Sequence, residues 1–158
     1  MNRRLHRLAL AGYRLLPTRA RRFVVRRIAP TYSVGANCVV LDGERVLLVR
    51  LSYRKRWGLP GGLVGRREMP AAAAIREAAE EVGLAVEPIG TPVVVVDPDA
   101  RRVDVVHRCR VAAGADPAAA APRSAEILEA RWFGLDDLPE LQHETAEALR
   151  AAGLHVQM

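Results

Sequence analysis

Residues 58–84 read GLPGGLVGRREMPAAAAIREAAEEVGL, and this stretch decides the fold. The glycines and Pro60 at positions 58–62 predict a turn whose backbone can approach a ligand closely. A helix is predicted from Pro70, which suits the first helical position, to Val82, with Gly83 as its C-terminal stop. Helical periodicity predicts a face that packs against a sheet, formed by Ala72, Ile75, Ala78, Ala79 and Val82.

The opposite face of this helix carries three carboxylates. Glu77, Glu80 and Glu81 are spaced i, i+3 and i+4, so they fall within about 100° of one another. They repel one another, and the neighbouring Arg76 cannot neutralise all three. A hard divalent cation such as Mg²⁺, which prefers oxygen ligands, would do so. The pattern indicates either a metal site facing a phosphate-bearing substrate or a solvated acidic face, and the glycine turn and Glu68 before the helix favour the metal site.

The spacing of these residues resembles the Nudix box, GX5EX7REUXEEXGU, in which U is a bulky aliphatic residue. Gly62, Glu68 and the run REAAEEVGL at 76–84 occupy its fixed positions, with Ala78 as a small residue at the first U. Members of that family often carry glycine immediately before the first glutamate, where this chain has Arg67.

The resemblance implies a Nudix fold over residues 31–152 and magnesium-dependent hydrolysis of a phosphoanhydride bond. The substrate would be a nucleoside diphosphate linked to another group, such as a nucleoside triphosphate, ADP-ribose or a nucleotide sugar. Mg²⁺, for which Mn²⁺ can substitute, would be held by Glu77, Glu80 and Glu81 and by a backbone carbonyl of Gly62 or Gly61. Glu80 and Glu81 are the best candidates for direct ligands.

The resemblance also implies supporting and catalytic roles. Arg76 would orient the glutamates by hydrogen bonds, and Glu68 together with Gly61 would stabilise the loop before the helix. Glu77, Glu80 and Arg76 are therefore assigned to catalysis.

Further candidates lie outside the box. Glu126, in a later loop, is the candidate for an additional base or metal ligand, with Glu129 as runner-up; the alternative for both is an ordinary surface carboxylate. The candidates for substrate binding precede the glycine turn and are Arg50, Arg54, Arg56 and Trp57. For the arginines the alternative is a solvated basic loop, and for Trp57 it is packing beneath the loop.

The rest of the chain predicts an α/β domain: an α/β/α sandwich around a mixed β-sheet. Alternating apolar residues and turn signals predict strands at 32–41, 45–51, 84–96 (one or two), 102–111 and 127–133. A closing helix is predicted at 142–152, and 112–122 is an Ala- and Pro-rich loop. This Nudix hydrolase domain comprises residues 31–158.

Residues 1–30 form a separate basic extension. They contain nine arginines and no Asp or Glu, so the remainder of the chain carries 6 − 9 = −3 of the net charge of +6. Two basic helices are predicted, at 3–16 and 19–28, with Thr18 as the cap of the second. Packing of the extension on the domain is the favoured interpretation; the alternatives are weak association with an anionic membrane surface and contact with nucleic acid, which the scarcity of aromatic residues disfavours. Its arginines interrupt the apolar run, so the segment is not a convincing signal peptide.

Composition bounds the remaining possibilities. The sequence contains no stretch of 18 apolar residues, so no transmembrane helix is predicted. Cys38 and Cys109 are far apart in apolar segments, which favours buried reduced thiols and a cytoplasmic protein, with peripheral membrane association through the extension. The predicted partners are a nucleotide-derivative substrate and a second copy of the chain in a homodimer. The alternative function is a non-catalytic nucleotide-binding regulatory domain, membrane- or RNA-associated through its basic N-terminus, but such domains usually lose the box glutamates.

Overall fold

The computed structural model describes residues 13–156 of the chain, which divides into two compact units, Met1–Tyr32 and Ser33–Met158. In the first unit, helix α1 spans Thr18–Ile28 and none of its residues is buried. Thr18 lies inside this helix and does not cap it, because Pro17 occupies the cap position in an extended conformation. The predicted helix at 3–16 falls largely outside the described residues; residues 13–15 are helical.

The second unit contains seven strands, two α-helices and a short 3₁₀ turn, Pro117–Ala119, among its described residues. The strands are β1 (Ser33–Asp42), β2 (Arg45–Leu51), β3 (Gly61–Leu63), β4 (Val86–Pro88), β5 (Val93–Asp97), β6 (Arg102–Val111) and β7 (Ile127–Gly134). The helices are α2 (Pro70–Val82) and α3 (His143–Ala151). No helix in the described part of the chain is long and apolar enough to cross a membrane.

The strands form one mixed sheet in the order β4-β6-β1-β2-β7. β1 and β6 run parallel, whereas the other pairs are antiparallel; β3 pairs with β1, and β5 pairs with β6. A core cluster that includes alanines of α2 covers one sheet face, and a second that includes Ala148 and Leu149 of α3 covers the other. The predicted α/β/α sandwich around a mixed sheet is therefore confirmed.

Most predicted elements agree with the structure, and the differences have local causes. The segment 84–96 forms two short strands, β4 and β5, separated at Ile89–Pro92. β3 was missed because its sequence, Gly61-Gly62-Leu63, has almost no strand propensity; its pairing with β1 comes from the tertiary structure.

The predicted packing face of α2 is partly wrong. Ala78 and Val82 are buried as expected, but Ala72, Ile75 and Ala79 are exposed. The buried residues of the helix are Ala73, Ala74, Ala78, Glu81 and Val82. The helix is thus rotated so that Glu81 points inward together with the alanines. Apolar periodicity could not show this, because it assigns every glutamate to the solvent side.

Candidate active site

The centre of the site is the close approach of helix α2 to the glycine strand β3. The backbone N–H of Gly61 donates a hydrogen bond to Glu81 Oε2 at 2.9 Å. A Cβ atom on Gly62 would lie 2.4 Å from Glu77 Oε1, and one on Gly61 would lie 2.5 Å from the carbonyl oxygen of Ala36. Position 61 therefore requires glycine, whereas a side chain on Gly62 would have to displace the carboxylate of Glu77. The two glutamates lie directly against the backbone of the strand.

Arg76 connects the acidic residues on this side of the helix. Its Nη1 donates to Glu77 Oε1 at 2.7 Å and to Glu80 Oε2 at 3.0 Å, while its Nε donates to Glu68 Oε1 at 2.9 Å. Glu68 also accepts a hydrogen bond from the N–H of Gly65 at 2.7 Å. The hydrogen bonds from Arg76, and then that from Gly65, lower the pKa of Glu68. This network has the geometry expected of an arginine that orients the glutamates and a glutamate that stabilises the preceding loop.

The loop before the helix contains one strained position. Arg67 adopts a φ of 62°, a conformation that favours glycine. Glycine would therefore suit position 67, where this chain carries Arg67 instead of the glycine common in the Nudix box.

Glu81 is the most perturbed carboxyl group of the site. Its side chain is buried, and burial raises its pKa from 4.5 to about 7. The hydrogen bond from Gly61 opposes this shift, whereas the neighbouring carboxylates of Glu77, Glu126 and Glu80 add to it. A cation placed among these groups would stabilise the ionised form of Glu81.

A cavity of about 790 Å³ lies over these residues. Its wall includes the carboxylates of Glu77, Glu80, Glu81, Glu126 and Glu144, together with the two glycines of β3. Of the two loop candidates from the sequence, Glu126 lines this cavity. Glu129 lies on β7 opposite Arg50, where ion pairs with Arg50 and Arg131 hold it. The structure therefore favours Glu126 over Glu129.

The predicted substrate-binding residues separate into two groups. Arg54 lines the cavity, where its guanidinium lies 3.7 Å from Glu144. The other three residues do not line it: Arg50 pairs with Glu129, Arg56 with Glu140 at 2.6 Å, and the Trp57 ring packs edge-on against Phe133. Each of these three side chains contacts a neighbour from another segment, and their role in substrate binding stays a prediction.

Several cavity residues were missed in the sequence analysis. Arg102 lines the wall and donates from Nε to Asp104 Oδ1 at 2.8 Å, with Asp104 itself buried. Gln142 and Thr145, at the start of α3, are buried polar residues that also line the cavity. No local motif marks these residues, since only the parallel pairing of β6 with β1 and the packing of α3 bring them to the site.

The acidic residues are suited to a hard divalent cation, because every side-chain donor is a carboxylate oxygen. Nevertheless, in the described part of the chain no three His, Cys, Asp or Glu side chains are already grouped as a metal-binding cluster. The reason is visible in the hydrogen bonds: Arg76 holds Glu77 and Glu80, and Gly61 holds Glu81. A divalent cation would compete with Arg76 for the oxygens of Glu77 and Glu80.

Comparison with known proteins identifies the family. The NUDIX domain model matches residues 31–152, so this chain belongs to the NUDIX domain family, as the sequence predicted. It is 38% identical over 114 residues to a CMP-5'-(N-acetyl-N-hydroxy-3-aminopropyl)phosphonate hydrolase from Streptomyces rubellomurinus, in a match that covers 68% of this chain and 54% of that protein. The chain thus spans only about half the length of that relative.

Solved structures agree with this assignment. A MutT NUDIX hydrolase from Burkholderia pseudomallei is 30% identical with a TM-score of 0.64, covering 77% of this chain and 98% of that one. An ADP-ribose pyrophosphatase from Streptococcus suis is 28% identical with a TM-score of 0.63, covering 77% and 88%.

The raised pKa of Glu81 predicts a pH-dependent stability in the absence of divalent cations. Because the pKa is about 7 in the folded chain and 4.5 as the ordinary value, the native state binds more protons between these values. Protonation of Glu81 therefore contributes to the free energy of unfolding; this contribution is fully present below pH 4.5 and is lost as the pH rises through 7. We expect Glu81→Gln to gain up to about 3 kcal/mol in unfolding free energy relative to the unsubstituted chain between pH 5 and pH 8.

Urea unfolding in a chelating buffer at several pH values measures this difference. The decreased pKa of His107 contributes equally to both proteins, so the comparison isolates Glu81. Glu87→Gln, at a carboxylate that pairs with Arg110 on strands away from the cavity, is the matched control and should leave the pH profile unchanged. Parallel profiles for the Glu81→Gln variant and the unsubstituted chain would contradict the assignment.

Proposed function

We propose that this chain is a magnesium-dependent hydrolase that cleaves the phosphoanhydride bond of a nucleoside diphosphate linked to another group. The observation that carries the proposal is the convergence of Glu77, Glu80, Glu81 and Glu126 on one cavity beside the half-buried glycine backbone of β3. Such a concentration of carboxylates opposes folding unless a cation balances it. All the acidic residues of the family's box are retained, which argues against a purely regulatory, non-catalytic domain.

Glu77, Glu80 and Glu81, with the carbonyl of Gly62, would hold the metal. Bound Mg²⁺, or Mn²⁺ in its place, polarises a phosphoryl oxygen and lowers the pKa of a bound water. Arg76 would then keep the glutamates oriented from the side, with Glu68 fixing the position of its guanidinium.

Glu126 is suited to accept the proton of the attacking water. It lines the same cavity and lies close enough to Glu81 to affect the pKa of that residue. Its backbone is held by the hydrogen bond from Ser52 N–H to the Glu126 carbonyl at 2.8 Å, so the side chain projects from an anchored loop. A carboxylate within reach of the water is the usual requirement for a general base.

The cavity wall also favours a substrate with several phosphate charges. Arg54 and Arg102 supply cationic groups from two different segments, and the buried Asp104 fixes the guanidinium of Arg102. Tyr53, which is 65% exposed, offers an aromatic surface in the same wall on which a nucleobase can stack. The two named relatives, a hydrolase of a CMP-linked phosphonate and an ADP-ribose pyrophosphatase, support a nucleotide derivative as the substrate class.

Turnover of a substrate panel tests the proposed activity. In the presence of Mg²⁺ we expect cleavage of at least one nucleoside triphosphate, dinucleotide, nucleotide sugar or CMP-linked compound, with products identified by mass spectrometry. Glu80→Gln should lower kcat/KM about 10²-fold or more, since one of the carboxylates proposed to hold the metal ion is lost. Glu87→Gln is the control, because Glu87 pairs with Arg110 on the strands away from the cavity wall. Binding of nucleotides without any cleavage would instead favour the regulatory alternative.

Two nearby arginines provide a matched test of the substrate site. Arg54→Met should lower kcat/KM about tenfold, mainly through a higher KM, because one charge-assisted contact to phosphate is removed. Arg56→Met should change it by less than about twofold, since a surface ion pair such as that with Glu140 contributes little. Equal effects of the two substitutions on steady-state kinetics would refute the placement of Arg54 at the substrate.

A further inference from the structure

Helix α1 has no role in the proposed reaction, and its composition calls for a separate explanation. All of its charged residues are arginines, and no acidic residue occurs in the first 30 positions of the chain. At 100° per residue, Arg19, Arg22 and Arg26 fall within about 60° of one another. Ala20, Val24 and Ile28 lie on the opposite side of the helix, whereas Phe23 lies about 40° from Arg19, at the border of the basic arc.

Two arginines lie outside the basic arc, and the structure shows how each is accommodated. Arg21 folds back to donate from Nε to the carbonyl oxygen of Leu16 at 2.8 Å. The guanidinium of Arg27 lies 5.5 Å from the centre of the Phe23 ring. Long arginine side chains of this kind can cover an apolar surface while their charged ends remain in a polar layer.

Large apolar side chains in and beside the helix are exposed. Phe23 is 62% exposed, Ile28 is 77% exposed, and the preceding Leu15 is 87% exposed. Large apolar side chains displayed beside a concentration of like charges indicate a partner that is both apolar and anionic.

We propose that α1 binds the surface of an anionic lipid bilayer. Ile28 enters the boundary between headgroups and acyl chains, Phe23 contacts this boundary from the flank of the helix, and the arginines interact with the lipid phosphates. All the arginines of an 11-residue helix lying flat stay within about one Debye length of the surface, including those on the outer side.

A bilayer suits the helix better than a nucleic acid. A nucleic acid would neutralise the arginines through its phosphates but would leave Ile28 and Leu15 in water. A bilayer interface accepts both groups at once, because it offers phosphate and hydrocarbon within one helix diameter.

Sedimentation of the full chain with lipid vesicles tests this proposal. We expect binding to vesicles with about one third phosphatidylglycerol in phosphatidylcholine, and none to pure phosphatidylcholine, with loss of binding at high salt. The triple substitution Arg19→Gln, Arg22→Gln and Arg26→Gln should weaken binding about tenfold or more, since glutamine preserves helix propensity while removing the charge. The matched control replaces three exposed arginines of the second unit, Arg66, Arg101 and Arg108, by glutamine and should bind as the unsubstituted chain does.

A second pair of variants separates insertion from simple charge attraction. Phe23→Ser with Ile28→Ser should also lose about tenfold in binding, whereas Phe23→Leu with Ile28→Leu should retain it. The proposal is overturned if the full chain does not bind anionic vesicles, or if the serine variant binds as well as the leucine variant. It is also overturned if the chain binds an RNA or DNA duplex more tightly than these vesicles, which would identify a nucleic acid as the partner.

Discussion

The site depends on the distance between helix α2 and the glycine strand β3. Glu81 accepts a hydrogen bond from the backbone of Gly61, and Glu77 occupies the space that a side chain on Gly62 would fill. A carboxylate pressed against a backbone in this way loses much of its hydration. This loss of hydration raises the pKa of Glu81 to about 7. The structure therefore holds acidic groups in an environment that favours a cation.

Small residues allow helix α2 to lie close to the sheet. Ala73, Ala74 and Ala78 are fully buried where α2 meets the sheet, so the helix axis comes close to β1. The thiol of Cys38 on β1 lies 3.1 Å from the carbonyl oxygen of Ala74, which shows how near the helix backbone is to the strand. Larger side chains here would move the helix outward and take the glutamates away from the glycines. The alanine-rich composition and the acidic site are thus parts of one arrangement.

Local sequence information was sufficient for much of this architecture. The helix Pro70–Val82 and the strands Arg45–Leu51 and Arg102–Val111 follow from caps and periodicity, and the Nudix box placed the acidic residues on the correct helix. Two kinds of feature could not be predicted from local sequence information. The inward rotation of Glu81 opposes the rule that charged residues face solvent, and Arg102 reaches the cavity only through the parallel pairing of β6 with β1. Local sequence also could not show that Arg50, Arg56 and Trp57 have partners from distant segments.

The most direct test of this account is the affinity for a divalent cation when the glycine strand is altered. Mn²⁺ binding, followed by electron paramagnetic resonance of the free ion, would be compared between the unsubstituted chain and Gly62→Ala. The added Cβ would lie 2.4 Å from Glu77 Oε1 and must displace that carboxylate. We predict Mn²⁺ binding that is weaker by about tenfold or more in a variant whose circular dichroism is unchanged. Equal affinities in the two folded proteins would contradict the claim that the helix–glycine contact builds the metal site.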